Sequence, residues 1–160
     1  MTSIDNDDDP PLELDDTDRA VLDARIRNPR MDVREIAAET GIVANRVDDR
    51  LDRLEEAGVI RGYTAQVDYD ALGYDVTAIL RLSVDGDDTL ERLRDEPRFV
   101  AVYAVTGRDD AVAIGKFRDT DDLNATATGL LTDDAVESLD VSVALDAVRE
   151  FEPPSLGSDR

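Results

Sequence analysis

The apolar residues of this chain change rhythm at Gly58, and that change constrains what it can fold into. Before it they recur at helical spacing in three short blocks; after it they alternate at a period of two. The first block, Asp16 to Arg27, carries Ala20, Val21 and Ala24, with Leu22 and Ile26 less regular. Asn28-Pro29 ends it, because proline cannot continue the hydrogen-bond ladder and pushes its predecessor out of the α region. The second block opens on Asp32-Val33-Arg34-Glu35, an Asp variant of the capping box, and runs through Ile36, Ala37 and Ala38 to Gly41, a residue suited to a left-handed helix end. The third, Ala44 to Ala57, places Val47, Leu51 and Leu54 at i, i+4 and i+7 and stops at Gly58. Three short helices are expected, the last two joined by a short turn.

Beyond Gly58, Val59 to Val67 reads as extended and Tyr69 to Tyr74 as a linker. A strand follows from Asp75 to Val84, with Val76, Ala78, Leu80, Leu82 and Val84 on one face. Then come a helix around Thr89 to Arg94 closed by Pro97, a strand Phe99 to Thr106, a tight turn at Gly107-Arg108-Asp109, and a strand Asp110 to Phe117. A helix from about Asp121 to Leu131 and a strand from Leu139 to Val148 complete the order βαββαβ. That order is the ferredoxin-like split βαβ unit, so the fold class is α+β. Both helices then cover one face of a four-stranded antiparallel sheet. Ile79, Val102 and Ala113 are expected on the other, where a second sheet from another subunit would be an economical cover.

Composition narrows the chemistry. The chain has no cysteine and no histidine, which removes disulfides, thiolate metal sites, the Cys nucleophile, the commonest general base and the commonest transition-metal ligand. No metal, cofactor or catalytic residue is expected. No apolar run approaches the ~20 residues that cross a bilayer, and the N-terminus is acidic where a secretory signal is basic. A cytoplasmic protein without a membrane partner is the expectation. The formal charge of −21 argues at first against a polyanionic partner. Yet acids occur in every segment, Asp outnumbers Glu, and Lys116 is the sole lysine among many arginines. Such usage is similar to that of proteins from extreme halophiles, where the Debye length falls to ~3 Å and repulsion from DNA is largely screened. The Asp5, Asp7, Asp8, Asp9 cluster reads as a solvated run rather than a cation site.

Three stretches, in order, resemble the Lrp/AsnC (feast/famine) family of transcription regulators. They are Leu14-Asp15-Asp16-Thr17-Asp18-Arg19-Ala20-Val21-Leu22, the run from Arg50 through Gly58-Val59-Ile60-Arg61-Gly62-Tyr63 to Ala65, and Val105-Thr106-Gly107-Arg108-Asp109-Asp110. The resemblance spans roughly Leu14 to Glu150. It implies a winged helix-turn-helix at residues 14–67, a linker at 68–74 and a ferredoxin-like domain for ligand sensing and oligomerisation at 75–152. An acidic tail (1–13) and a loose end (153–160) flank them. It also implies double-stranded DNA as partner, homodimers that assemble into larger even-numbered oligomers, and an amino-acid effector near the Gly107 turn.

With Val47, Leu51 and Leu54 as the buried stripe of the third helix, about 100° per residue puts Asn45, Arg46, Asp49 and Arg53 on the opposite side, with Arg50 flanking. The second helix of a helix-turn-helix lies in the major groove, so Asn45, Arg46 and Asp49 are placed to read bases, and Arg34, Arg50, Arg53 and Arg61 to meet phosphates. Against this, the third helix carries five acids with its three arginines, which suits ion pairing along a solvated helix. The family usually has Ser where Val43 stands and Leu where Arg25 stands. At Gly107, Arg108, Asp109 and Asp110, glycine permits close backbone approach and Asp110 can meet an amino group, while the same residues also suit a plain hairpin turn. Threonines that the family tends to carry near the last strand are Leu139 and Val141 here. Two alternatives stand beside the regulator: an interaction module that no longer binds DNA, and a tetrapyrrole decarboxylase of similar architecture, whose chemistry would be expected to use the missing histidines.

Overall fold

The computed structural model describes residues 12–153; the Asp5 to Asp9 cluster, nearly all of the expected acidic tail and the chain end from residue 154 lie outside the described residues. The described chain divides into two compact units, the first of residues 12–66 together with 151–153 and the second of residues 67–150.

The first unit holds α1 (Asp16–Arg27), α2 (Val33–Thr40) and α3 (Ala44–Glu56). Asp15 caps α1 by accepting from the Asp18 N–H, and the Asp18 side chain accepts in return from the Asp15 N–H. Asp32 and Glu35 make the same reciprocal box on α2, and Gly41 closes that helix at φ 73°, a left-handed conformation glycine adopts without strain. Val21, Ala24, Ile36, Val47 and Leu51 form the apolar cluster among the three helices, with Met31, Val33, Ala37, Ile42 and Ile60 packed around it. The expected strand after α3 has no ladder partner among the described residues: residues 61–68 run free of regular structure. Tyr63 ties this wing segment down, donating its hydroxyl to Glu55 at 2.8 Å under the Arg25 guanidinium 5.3 Å from its ring centroid. Burial and the Glu55 carboxylate push the Tyr63 hydroxyl above its ordinary pKa.

The second unit is an antiparallel sheet of β1 (Val76–Val84), β2 (Phe99–Ala104), β3 (Ala111–Phe117) and β4 (Val136–Val143) in the order β2-β3-β1-β4, with α4 (Asp87–Arg94) and α5 (Thr120–Leu131) as crossovers. This is the βαββαβ arrangement. The linker residues 69–74 belong to this unit and include a single 3-10 turn, Asp70–Leu72. Ala78, Leu80, Leu82, Ala111, Ala113 and Phe117 face Leu93 and Leu123 of the helices to make the core.

Two expectations are corrected by strand register. Leu80 pairs with Ala113, which pairs with Val102, so Ala113 and Val102 lie on the helix-covered face. The open face instead carries Ile79, Val112, Ile114 and Tyr103, because one strand's alternation says nothing of its neighbour's offset. The last strand begins at Val136, where a bulge at Ser83/Val84 shifts the register, and ends at Val143 rather than Val148 because β1 offers no further partner after the Ala144 N–H bond to Thr77 O. Lys116 is nearly buried on the open face, donating to Thr77 Oγ1 and to both carboxylate oxygens of Glu150. No helix among the described residues is long and apolar enough to cross a membrane.

Candidate nucleic-acid interface

Helix α3 is the surface helix of a small bundle, and its two ends are built differently. Val47, Leu51 and Leu54 are buried and seat it on α1 and α2. Asn45, Arg46 and Asp49 are all exposed in its N-terminal half, and Arg34 at the start of α2 and Arg61 beyond α3 are exposed as well. Side chains that can form bidentate hydrogen bonds from an exposed helix end suit base edges, and exposed guanidinium groups suit phosphates.

Arg50 and Arg53 do not share that outward aspect. The structure turns Arg53 away from the side opposite the buried stripe, and both arginines point at α1. Arg50 donates to Asp18 Oδ1 at 3.0 Å and pairs with Asp15 Oδ2 at 2.9 Å; Arg53 donates to Asp18 Oδ2 at 2.7 Å and to the Glu13 carbonyl at 3.3 Å. The Asp18 side chain is fully buried. Asp18 is the buried partner of both arginines that reasoning from the sequence missed; its signal is the Asp15-x-x-Asp18 spacing at the start of α1, which marks a reciprocal cap and brings two carboxylates to one helix end. The backbone N–H of Asp18, helped by the Arg50 charge, holds the Asp15 carboxyl below its ordinary pKa against the cost of desolvation.

The helix also starts without a side-chain cap. Val43 occupies the N-cap with extended dihedrals, makes no side-chain hydrogen bond and is exposed. Arg25 uses its guanidinium locally, donating to the carbonyls of Pro29 and Met31 and lying over Tyr63.

The turn Gly107, Arg108, Asp109 and Asp110 connects β2 to β3, with Gly107 at φ 126° and Asp109 half-buried. Asp110 is engaged in the sheet: its Oδ2 accepts from the Val84 N–H at 3.0 Å, and its own N–H donates to Leu82 O at 2.9 Å. It thereby continues the β1–β3 hydrogen bonding past the last rung at Leu82–Ala111. Ser83 donates to the Arg108 carbonyl at 3.4 Å. A cleft of about 480 Å³ lies elsewhere, between α4 and α5, where Arg92 bridges Thr89 and Asp133.

Comparison with known proteins follows the same division. Residues 14–61 match the winged helix-turn-helix DNA-binding family, and residues 77–154 match the Lrp/AsnC ligand binding domain. An uncharacterised HTH-type transcriptional regulator of Pyrococcus furiosus is 36% identical over 146 residues, covering 87% of this chain and 96% of that protein. An HTH-type transcriptional regulator of Mycobacterium tuberculosis is 31% identical over 145 residues, covering 88% of this chain and 98% of that one. Among solved structures, AsnC of E. coli superposes with a TM-score of 0.79 at 23% identity, over 89% of this chain and 100% of that chain. A transcriptional regulator of Neisseria meningitidis solved as an L-Met complex superposes with a TM-score of 0.80 at 23% identity, over 89% and 97%.

Proposed function

This chain belongs to the Lrp/AsnC family of HTH-type transcription regulators, and on that premise we propose that the N-terminal half of α3 reads duplex DNA in the major groove. Asn45, Arg46 and Asp49 address base edges: arginine matches the paired acceptors of guanine, asparagine the donor-acceptor pair of adenine, and aspartate the amino group of cytosine. Arg34 and Arg61 contact phosphates on either side. The observation that carries the reading is the joint exposure of Asn45, Arg46 and Asp49 on a helix whose other side is anchored by Val47, Leu51 and Leu54. Anisotropy titration with the gene's own upstream duplex and a random duplex, in concentrated potassium chloride, tests it. Arg46→Ala should lose about tenfold on the upstream duplex, within the range of one bidentate base contact, and little on the random one. Arg61→Ala should weaken both alike. Equal losses on the two duplexes for Arg46→Ala would end the assignment.

The second unit, on this reading, supplies regulation and self-association in the cytoplasm rather than catalysis; the absence of histidine from the sequence supports that over a decarboxylase of similar architecture. Copies pair through the open sheet face of Ile79, Val112, Ile114 and Tyr103, and pairs assemble into even-numbered oligomers. An amino-acid effector meets the turn at Gly107, Arg108, Asp109 and Asp110. The L-Met complex of the similarly folded Neisseria protein supports that ligand class. Sedimentation with and without amino acids, compared between wild type and Ile114→Asp, separates the two roles.

A further inference from the structure

Helix α3 carries three arginines, and two of them converge on a carboxylate that solvent does not reach. Each oxygen of Asp18 accepts a guanidinium N–H, from Arg50 on one side and Arg53 on the other, while Oδ2 also takes the Asp15 N–H. Asp15 closes the group by pairing with Arg50. Two cations and two anions are thus matched within the protein itself. An arginine that swings out to a phosphate leaves the buried Asp18 with one guanidinium in place of two, and a desolvated carboxylate loses more by that than a solvated contact returns. What α3 then shows to a duplex is Arg46 among the exposed acids Asp48, Asp49, Asp52, Glu55 and Glu56.

We propose that Asp18 withholds Arg50 and Arg53 from the DNA backbone, so that α3 reads sequence with little sequence-independent attraction. The proposal rests on α3 being the DNA-reading helix. Asp18 is a positioning residue here, acting through the two arginines without touching DNA. Its consequence is measurable because each phosphate neutralised adds about 0.9 to the slope of log K against log salt. With its arginines held back, the wild type has a shallow slope and weak affinity for random DNA.

The test is the salt dependence of binding to a random-sequence duplex and to the upstream duplex, over salt concentrations at which circular dichroism shows each variant folded. Asp18→Asn removes the charge while keeping the shape. It should steepen the slope by about 1 to 2 per bound helix and tighten random-duplex binding by about tenfold or more at the lowest salt. Arg53→Gln, whose side chain is 39% exposed and which leaves Asp18 paired with Arg50, should leave the slope unchanged. If Asp18→Asn does not fold, Arg53→Gln decides alone. A slope shallower by about 1 in Arg53→Gln, or an unchanged slope in folded Asp18→Asn, overturns the proposal. Arg46-dependent discrimination in the same titrations shows whether the reading of α3 stands: withholding can fail while that discrimination persists, whereas a wild type that binds neither duplex removes both.

Discussion

The two units of this chain bury different things. The sheet unit closes over a continuous apolar core from Ala78 to Val136, and strand register orients everything within it. The helical unit has a smaller apolar cluster, and it adds a buried carboxylate gripped by two guanidinium groups. Three short helices touching through a handful of side chains can slide and roll, since apolar contact is non-directional. Hydrogen bonds to a fixed carboxylate are directional, so the pairs from Arg50 and Arg53 to Asp18 add a directional restraint to the apolar seat of α3. The sheet unit also buries a charge, Lys116 against Glu150, but its faces are set by strand register, and its unfinished feature is different: one face without a helix.

Removing Phe117 is the strongest way to sharpen that contrast. Its ring is fully buried and lies against Gly115, where an added Cβ would come within 2.5 Å of it. Phe117→Ala should destabilise the sheet unit by about 3–5 kcal/mol, as deletions of fully packed aromatic rings do. Amide hydrogen exchange should show the protection of β1 and β3 falling while that of α1 to α3 is kept. Equal loss in all the helices of the first unit would break the comparison, because one cooperative core would then serve both.

Asp18→Ala is the counterpart in the helical unit, with a smaller expected cost of about 2–3 kcal/mol. Breaking a buried pair by removing one partner is costly, but Arg50 and Arg53 are 19% and 39% exposed and recover hydration, which discounts it. The same exchange experiment should show α1 and α3 weakened and the sheet untouched. A cost near zero would mean that apolar contact alone orients α3. Asp15 adds a dependence on acid: its folded pKa lies below the usual value, so its contribution is complete above the unfolded carboxylate range and is lost as pH falls through the folded pKa.

How far the sequence foretold this depends on the range of the interaction concerned. The ends of α1 and α2 were legible at Asn28-Pro29, Asp32-Val33-Arg34-Glu35 and Gly41 because caps and breakers act within a turn. The buried stripe of α3 was legible for the same reason, and with it the exposure of Asn45, Arg46 and Asp49. The destinations of Arg50 and Arg53 were not, since their partner Asp18 lies 32 and 35 residues away and helical periodicity is silent about what a flanking side chain meets. Register failed for a related reason: Ala113 faces the helices because it pairs with Leu80, an offset that alternation within one strand does not carry, and the irregularity between Phe99 and Ala101 puts Phe99 and Val102 on the same face. The Gly107 turn was placed by its residue types, but the bond from Val84 to Asp110 belongs to the ladder and could not be read from the turn.

The mildest change addresses the end of α3 that Asp18 does not hold. Asp15, Asp32 and Asp119 cap their helices by accepting backbone N–H groups on their side chains, whereas Val43 accepts the Arg46 N–H only through its carbonyl, at 2.9 Å, and has no side-chain acceptor for the N–H groups of the first turn. Val43 already has extended dihedrals, φ −65° and ψ 141°, so a serine there needs no backbone adjustment to accept one of those N–H groups. Val43→Ser should stabilise the helical unit by about 0.5–1 kcal/mol, read as a higher denaturation midpoint and slower exchange at Arg46. Because the residues it steadies are the proposed base readers, affinity for the upstream duplex should rise by at most about fivefold, with random-duplex binding unchanged. An unchanged midpoint would mean that the first turn of α3 is already fixed by its packing, and the contrast between an anchored C-terminal half and a loose N-terminal half of the helix would fall with it.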